Sequence, residues 1–269
     1  MEKRKRRILL ALTALVFITG TYWAIMNAQG YTYSLSEGRF IRTGTIVVRI
    51  NETADVLLNG ELKGSTSFLS RTFGIEELLP GSYTVSTYRD GFSSWSKTAS
   101  VSEGLITEFP HVLMLPTDET RVELLRTRLE EEMAQPALLP PPSPRPRQTP
   151  VVSPIPDSTL AWRGDTLMLI QKDGTRTDIV KNPAGARLSS RQARLLWWSG
   201  RDLWVMWLTP NGAQPFYPQG YMERIFRASR PITNAVWFDE NATHVAFNEG
   251  AGIRIIEIDT RGGVNIIRL

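Results

Sequence analysis

Lys3, Arg4, Lys5, Arg6 and Arg7 run directly into an uncharged apolar stretch, Ile8 to Met26, and that junction limits every fold open to the chain. A helix rises ~1.5 Å per residue and needs ~20 apolar residues to cross the hydrocarbon core of a bilayer. These 19 residues suffice for one crossing. The basic cluster resists translocation and no further charge occurs before Glu37, which predicts an N-terminus inside and the bulk of the chain outside. Tyr22 and Trp23 are expected to anchor the outer interface. The alternative is a cleaved secretory signal, whose apolar core runs ~7–15 residues and ends in a small-x-small site. Met26-Asn27-Ala28 fits that pattern poorly, and with no cysteine downstream a lipoprotein anchor is excluded.

The net charge of +4 belongs to this leader: residues 1–7 hold five bases and one acid, leaving 26 groups of each sign beyond them. A nucleic-acid partner is therefore not expected, since Lys and Arg would have to concentrate on the folded part to displace counterions from phosphate. Zero cysteines remove disulfides, thiolate metal sites and cysteine nucleophiles together. With only His111 and His244 available, and no phosphate-cradling glycine loop, nucleophile elbow or calcium loop, no catalytic residue, cofactor or metal is expected.

The fold class reads as mainly β, divided by composition. After the basic stub (1–7) and the apolar segment (8–26), residues 27–43 are polar and aromatic without period and read as an unstructured stalk. Residues 44–115 carry short strand signals. Thr45 to Ile50 is rich in β-branched residues, Val56-Leu57-Leu58 meets the hairpin dipeptide Asn59-Gly60, and Ser82 to Tyr88 alternates after Leu78-Leu79-Pro80-Gly81. Trp95 to Val101 and Ile106 to Leu115 complete the set. Residues 118–135 place Val122, Leu125 and Leu129 on one helical face, too short for a ~3–4 heptad coiled coil and suited to packing on a neighbour. Residues 136–157 contain nine of the 17 prolines and read as a semi-rigid spacer. Residues 158–269 read as repeated hairpins, clearest from Ala235 to Leu269, where four strands fit in the length of one propeller blade.

Two resemblances follow from these residues. Val56-Leu57-Leu58-Asn59-Gly60, Gly64-Ser65-Thr66, Leu78-Leu79-Pro80-Gly81-Ser82-Tyr83-Thr84-Val85 and Tyr88-Arg89-Asp90-Gly91-Phe92 resemble a PEGA domain, with Phe68 to Ile75 read as an insertion. That family implies a small β-sandwich-like module of surface proteins and carries no catalytic residues. Val236-Trp237-Phe238-Asp239, Val245-Ala246-Phe247 and Arg254-Ile255-Ile256-Glu257-Ile258-Asp259 resemble WD-repeat or TolB-like propeller blades. At ~40–45 residues per blade, residues 158–269 hold fewer than three, too few to close a ring. A shortened relative of a longer propeller, completion by oligomerisation, and a small open stack of sheets are the three accounts of that shortfall.

Six tryptophans lie in the last region, most of them expected in the core. Neighbours on a strand point to opposite faces, so one of Trp197 and Trp198 is expected to face outward and stack on a ligand. Together these features predict a single-pass, extracytoplasmic, non-enzymatic binding or scaffolding protein of the cell envelope, with a surface polysaccharide or an envelope protein as ligand. A glycan hydrolase or lyase using Asp165, Asp202 or Asp239 is the enzymatic alternative, and a passive structural spacer the third.

Overall fold

The computed structural model describes residues 2–34, 38–139, 149–155, 158–191 and 193–269. The first element, α1 (Glu2–Ala28), is a 27-residue helix that takes in the basic stub as well as the apolar stretch. Two of its hydroxyls are satisfied within the helix: Thr13 and Thr19 donate to the carbonyls of Leu9 and Leu15, four residues back. Its large apolar side chains stand exposed, Ile8 at 61%, Phe17 at 72% and Ile25 at 50%. By length and composition α1 could cross a membrane.

Residues 27–43 depart from the expected stalk. They form an antiparallel hairpin, β1 (Tyr31–Ser34) with β2 (Arg39–Arg42), in which Tyr33 opposes Phe40. Tyr, Thr, Phe and Ile favour extended backbone, but four-residue strands are too short for a periodic signal to show.

The chain separates into two compact units, residues 1–87 with 98–112, and residues 88–97 with 113–269. The β elements after the hairpin are β3 (Gly44–Ile50), β4 (Asp55–Leu58), β5 (Glu61–Ser65), β6 (Thr72–Leu78), β7 (Gly81–Tyr88), β8 (Trp95–Val101) and β9 (Ile106–Val112). They make a three-stranded sheet in the order β6-β3-β9, with β3 and β9 parallel, and a four-stranded sheet in the order β5-β4-β7-β8. Each sheet turns one side inward: Ile46, Val48, Ile50 and Phe109 are buried on the first, and Val56, Leu58, Val85, Ala99 and Val101 on the second. Asn59 and Gly60 both take positive φ, 51° and 84°, the backbone of a two-residue hairpin turn. Strand β6 occupies part of the stretch read as an insertion. Its alternation is broken by Glu77 at φ 59° and by a register shift opposite β3 between Gly44 and Ile46, so the sequence shows no clean period there.

In the second unit, α2 (Glu119–Ala134) starts at Asp118, whose carboxylate accepts from the Arg121 N–H at 3.0 Å. Three antiparallel sheets follow, each of four consecutive strands. The first holds β10 (Thr149–Ile155), β11 (Ser158–Arg163), β12 (Thr166–Gln171) and β13 (Arg176–Lys181). The second holds β14 (Gly185–Leu188), β15 (Arg194–Ser199), β16 (Asp202–Trp207) and β17 (Met222–Arg227). The third holds β18 (Ile232–Trp237), β19 (His244–Glu249), β20 (Gly252–Glu257) and β21 (Ile266–Arg268). Each has the strand order of a propeller blade, and none closes on itself among the described residues.

Two expectations are corrected here. Strand β10 lies within the stretch read as a spacer, so the hairpin region starts at Thr149 and makes three sheets where fewer than three blades were expected. Pro150 and Pro154 are tolerated because β10 is an edge strand, with one neighbour to serve instead of two. The centre of the expected spacer, 140–148, lies outside the described residues.

The apolar cores explain why the stack holds. Leu160, Trp162, Leu167 and Leu169 of the first sheet meet Ala186, Leu195, Trp197 and Met206 of the second. The other face of the second sheet, with Leu196, Trp198, Leu203 and Trp207, meets Ala235, Val245, Phe247 and Ile256 of the third. The outer face of the third, with Val236, Ala246, Ile253 and Ile255, is covered by Leu129 and Met133 of α2 and by Leu115. Arg187 of β14 donates to the carbonyls of Met133 and Gln135 at the end of α2. Leu138 then exchanges two backbone hydrogen bonds with Ala186.

Residues 88–97 belong with this unit through Ser93, whose N–H donates to the Leu115 carbonyl, and through a buried charged cluster. There the Lys97 ammonium lies 2.9 Å from Glu257 Oε1 and 3.8 Å from Asp259, while the Trp95 indole N–H donates to Glu257 Oε2 at 3.2 Å.

Candidate functional site

Trp197 and Trp198 point to opposite faces of β15, as strand geometry requires. Both faces are interior, because β15 lies in the middle sheet of the stack. Trp197 is 3% exposed and stacks on Trp204 at 5.9 Å, and Trp198 is 1% exposed in the opposite core. Neither offers a ring to a ligand, which corrects the stacking role expected for one of them. A cluster of more accessible aromatics lies in the loop between β16 and β17. Tyr217 and Tyr221 stack at 4.3 Å with planes 7° apart, against buried Trp207, and Phe216 beside them is 70% exposed. Burial, followed by the Glu223 charge, pushes the Tyr217 hydroxyl above its ordinary pKa, so it stays protonated and donates to Glu223 Oε2 at 3.2 Å.

Next to these rings the loops β14–β15, β16–β17 and β18–β19 enclose a cleft of about 170 Å³. Its best-defined group is Arg194, at the start of β15. The guanidinium donates through Nη1 to the carbonyls of Asn241 and Ala242 and through Nη2 to Asn211 Oδ1, while its buried Nε has no hydrogen-bond partner. Among the described residues no carboxylate lies in ion-pair contact with it. Burial draws the Arg194 pKa below the usual guanidinium value, the Asp239 charge opposing, yet a guanidinium keeps its charge throughout the physiological range. Arg191, Glu240 and Asn241 stand exposed among the lining residues. An arginine edge, amides and stacked phenols are the groups with which proteins hold polar, ring-bearing ligands.

Asp239 holds the β18–β19 loop in shape. Its carboxylate accepts from the Thr243 hydroxyl at 2.9 Å and the His244 N–H at 2.9 Å, and lies 3.5 Å from His244 Nδ1. Burial pushes this carboxyl up, but the His244 and Thr243 contacts outweigh it and leave the pKa below the ordinary value. A carboxyl depressed on folding contributes stability in full above its unfolded pKa of ~3.9, and loses it as pH falls through the lower folded value. Asp239→Asn is therefore expected to lose less stability than the parent between pH 5 and the acid limb. Urea midpoints across that range check the difference.

Of the three acids of the enzymatic alternative, Asp239 stands apart from the other two. Asp165 and Asp202 flank β11–β12 and β15–β16 turns and sit near Lys181 and near Arg224 and Arg227. Asp239 precedes β19, at the opposite end of the strands, about 20 Å away for six residues at ~3.3 Å each. No group of three metal-ligating side chains occurs among the described residues. Sequence reading missed Arg194, since its partners come from 17 to 48 residues away and only an arginine opening a buried apolar strand marks it.

No family model and no curated protein matches the chain. Solved structures of propeller-like fold do. Kluyveromyces lactis Hsv2 aligns at 12% identity over 73% of this chain and 59% of its own, with a TM-score of 0.31. A quinoprotein alcohol dehydrogenase-like protein of Bacteroides thetaiotaomicron aligns at 10% identity over 84% and 59%, TM-score 0.29. A 6-phosphogluconolactonase-like protein of Bacteroides fragilis aligns at 8% over 88% and 62%, TM-score 0.28. The chain thus spans about three fifths of the length of these structures.

Proposed function

We propose that the chain is a single-pass envelope protein that displays two β units outside the membrane and acts by binding. One observation carries this reading: α1 exposes its apolar side chains along its whole length, and such a surface needs hydrocarbon around it. The basic residues Lys3 to Arg7 supply the orientation. The two small sheets of residues 44–112, each with one buried side, fit the module implied by the PEGA resemblance. Asp239 stands at the opposite strand end from Asp165 and Asp202, which favours binding over a glycoside hydrolysis that pairs it with either across one bond.

The ligand is an acidic envelope polysaccharide, with Arg191 and Arg194 facing its carboxylates and Tyr221 its sugar rings. Protease treatment of intact cells should remove the two β units and spare the N-terminal stub; protection of the β units would overturn the topology. Full-length protein in nanodiscs should bind uronate-rich polysaccharide, with Arg191→Ala and Tyr221→Ala each weakening capture about tenfold, or ~1.4 kcal/mol. Unchanged capture by both variants would remove the cleft from the account.

A further inference from the structure

The hairpin after α1 turns back along the helix. Gly30 ends α1, donating to the Asn27 carbonyl, and Thr43 closes the base of the hairpin by donating to the Gly30 carbonyl through N–H and hydroxyl. Phe40 then meets Tyr22 edge to face with ring centroids 6.3 Å apart, and Tyr33 meets Phe40 at 5.3 Å. Tyr22 lies six residues before the end of α1, about 9 Å back along its axis at ~1.5 Å per residue.

The turn between β8 and β9 is tied to the same hairpin. Gly104 donates to the Thr43 carbonyl at 3.2 Å, Thr45 donates to the Leu105 carbonyl at 3.1 Å, and Arg39 pairs with Glu103 at 3.4 Å. Around the helix exit, therefore, half-exposed apolar groups collect: Tyr33 is 51% exposed, Leu105 60% and Ile106 51%. Arg39 and Arg42 border them.

We infer that this face of the first unit rests in the outer leaflet, with Tyr33, Phe40, Leu105 and Ile106 at the acyl boundary and Arg39 and Arg42 among the lipid phosphates. The inference builds on the membrane anchoring proposed above. Its warrant is continuity: Tyr22 stands near the outer end of the apolar stretch Ile8 to Met26 and meets Phe40 edge to face, so the hairpin stands where that stretch leaves the hydrocarbon. Aromatic rings with a polar flank are the side chains that settle at that depth, and arginines beside them meet headgroup phosphates. A collar of this kind fixes the height and tilt of the first unit above the bilayer, which a bare helix would leave free to swing.

The absence of cysteine makes the test direct. Single cysteines replace Tyr33, Leu105, Phe17 and Phe68 in the full chain, are labelled with an environment-sensitive fluorophore, and are reconstituted in phosphatidylcholine–phosphatidylglycerol vesicles carrying shallow nitroxide lipids or, for position 17, deep ones. Phe68, 81% exposed, lies between β5 and β6 near the Arg49 end of β3, whereas the collar surrounds the Gly44 end. Labels at 33 and 105 should be quenched at least twofold and those at 68 should not. Quenching at 17 without quenching at 33 and 105 overturns the collar and leaves the anchor standing. Loss of quenching at 17 as well, with release of the protein by alkaline carbonate, rejects the anchor itself. Concentration-dependent shielding of 33 and 105 from aqueous iodide without lipid quenching would assign the face to a second copy and also overturn the collar.

Discussion

Glu257→Ala is expected to cost about 3–5 kcal/mol, the range for removing one partner of a buried ion pair. Glu257 is 5% exposed and Lys97 2%, so water cannot replace what is lost. Glu257 also accepts the Trp95 indole N–H and both the backbone and side-chain N–H of Asn265, three further hydrogen bonds that the variant loses. Asp259 at 3.8 Å retains part of the attraction for Lys97, which places the cost toward the lower end of that range. For a unit of this size each kcal/mol moves the melting temperature by ~2–4 °C, so thermal unfolding should fall by roughly 6–15 °C. The double variant Lys97→Met with Glu257→Leu should recover much of the loss, since paired apolar replacement removes the buried charge together with its partner. A fall under 2 °C for Glu257→Ala would show that solvent reaches the cluster.

Gly185→Ala is the second substitution with a large expected effect. A Cβ built there lies 2.2 Å from Cζ2 and 2.6 Å from Cη2 of Trp198, a ring closed in on both sides by the core between the second and third sheets. The ring cannot retreat without pushing Leu203 or Phe247, so overpacking of about 1–3 kcal/mol or more is expected. Gly252→Ala supplies the control, because nothing lies within 4 Å of its Cβ position. Chemical denaturation of the two variants side by side should show a lower midpoint for Gly185→Ala alone.

What the sequence disclosed and what it concealed divide along the range of the interactions involved. The helix α1, the Asn59-Gly60 turn and the opposed directions of Trp197 and Trp198 follow from neighbours in the chain, and each was legible. Strand β10 was concealed because prolines argue against a sheet interior, and only the assembled sheet reveals that it is an edge. Lys97 sits at an inward position of an alternating strand, which local pattern marks as an anomaly. Its partner is 160 residues away and leaves no trace nearby. The burial of both tryptophans has the same origin: strand parity shows that they diverge, whereas only the stacking of sheets shows that both directions lead inward. The cleft at Arg194 arises from three loops and was hidden for that reason.

Helix α2 bears on how such a stack ends. An apolar sheet face left bare would recruit another sheet, and copies of the chain could add to one another without limit. Leu129, at 0% exposure, and Met133, at 4%, occupy that face instead, and Arg187 fastens the helix terminus in place. The helix serves as a terminal stop: on that side the series is finished within one polypeptide, and further growth there would first have to evict it.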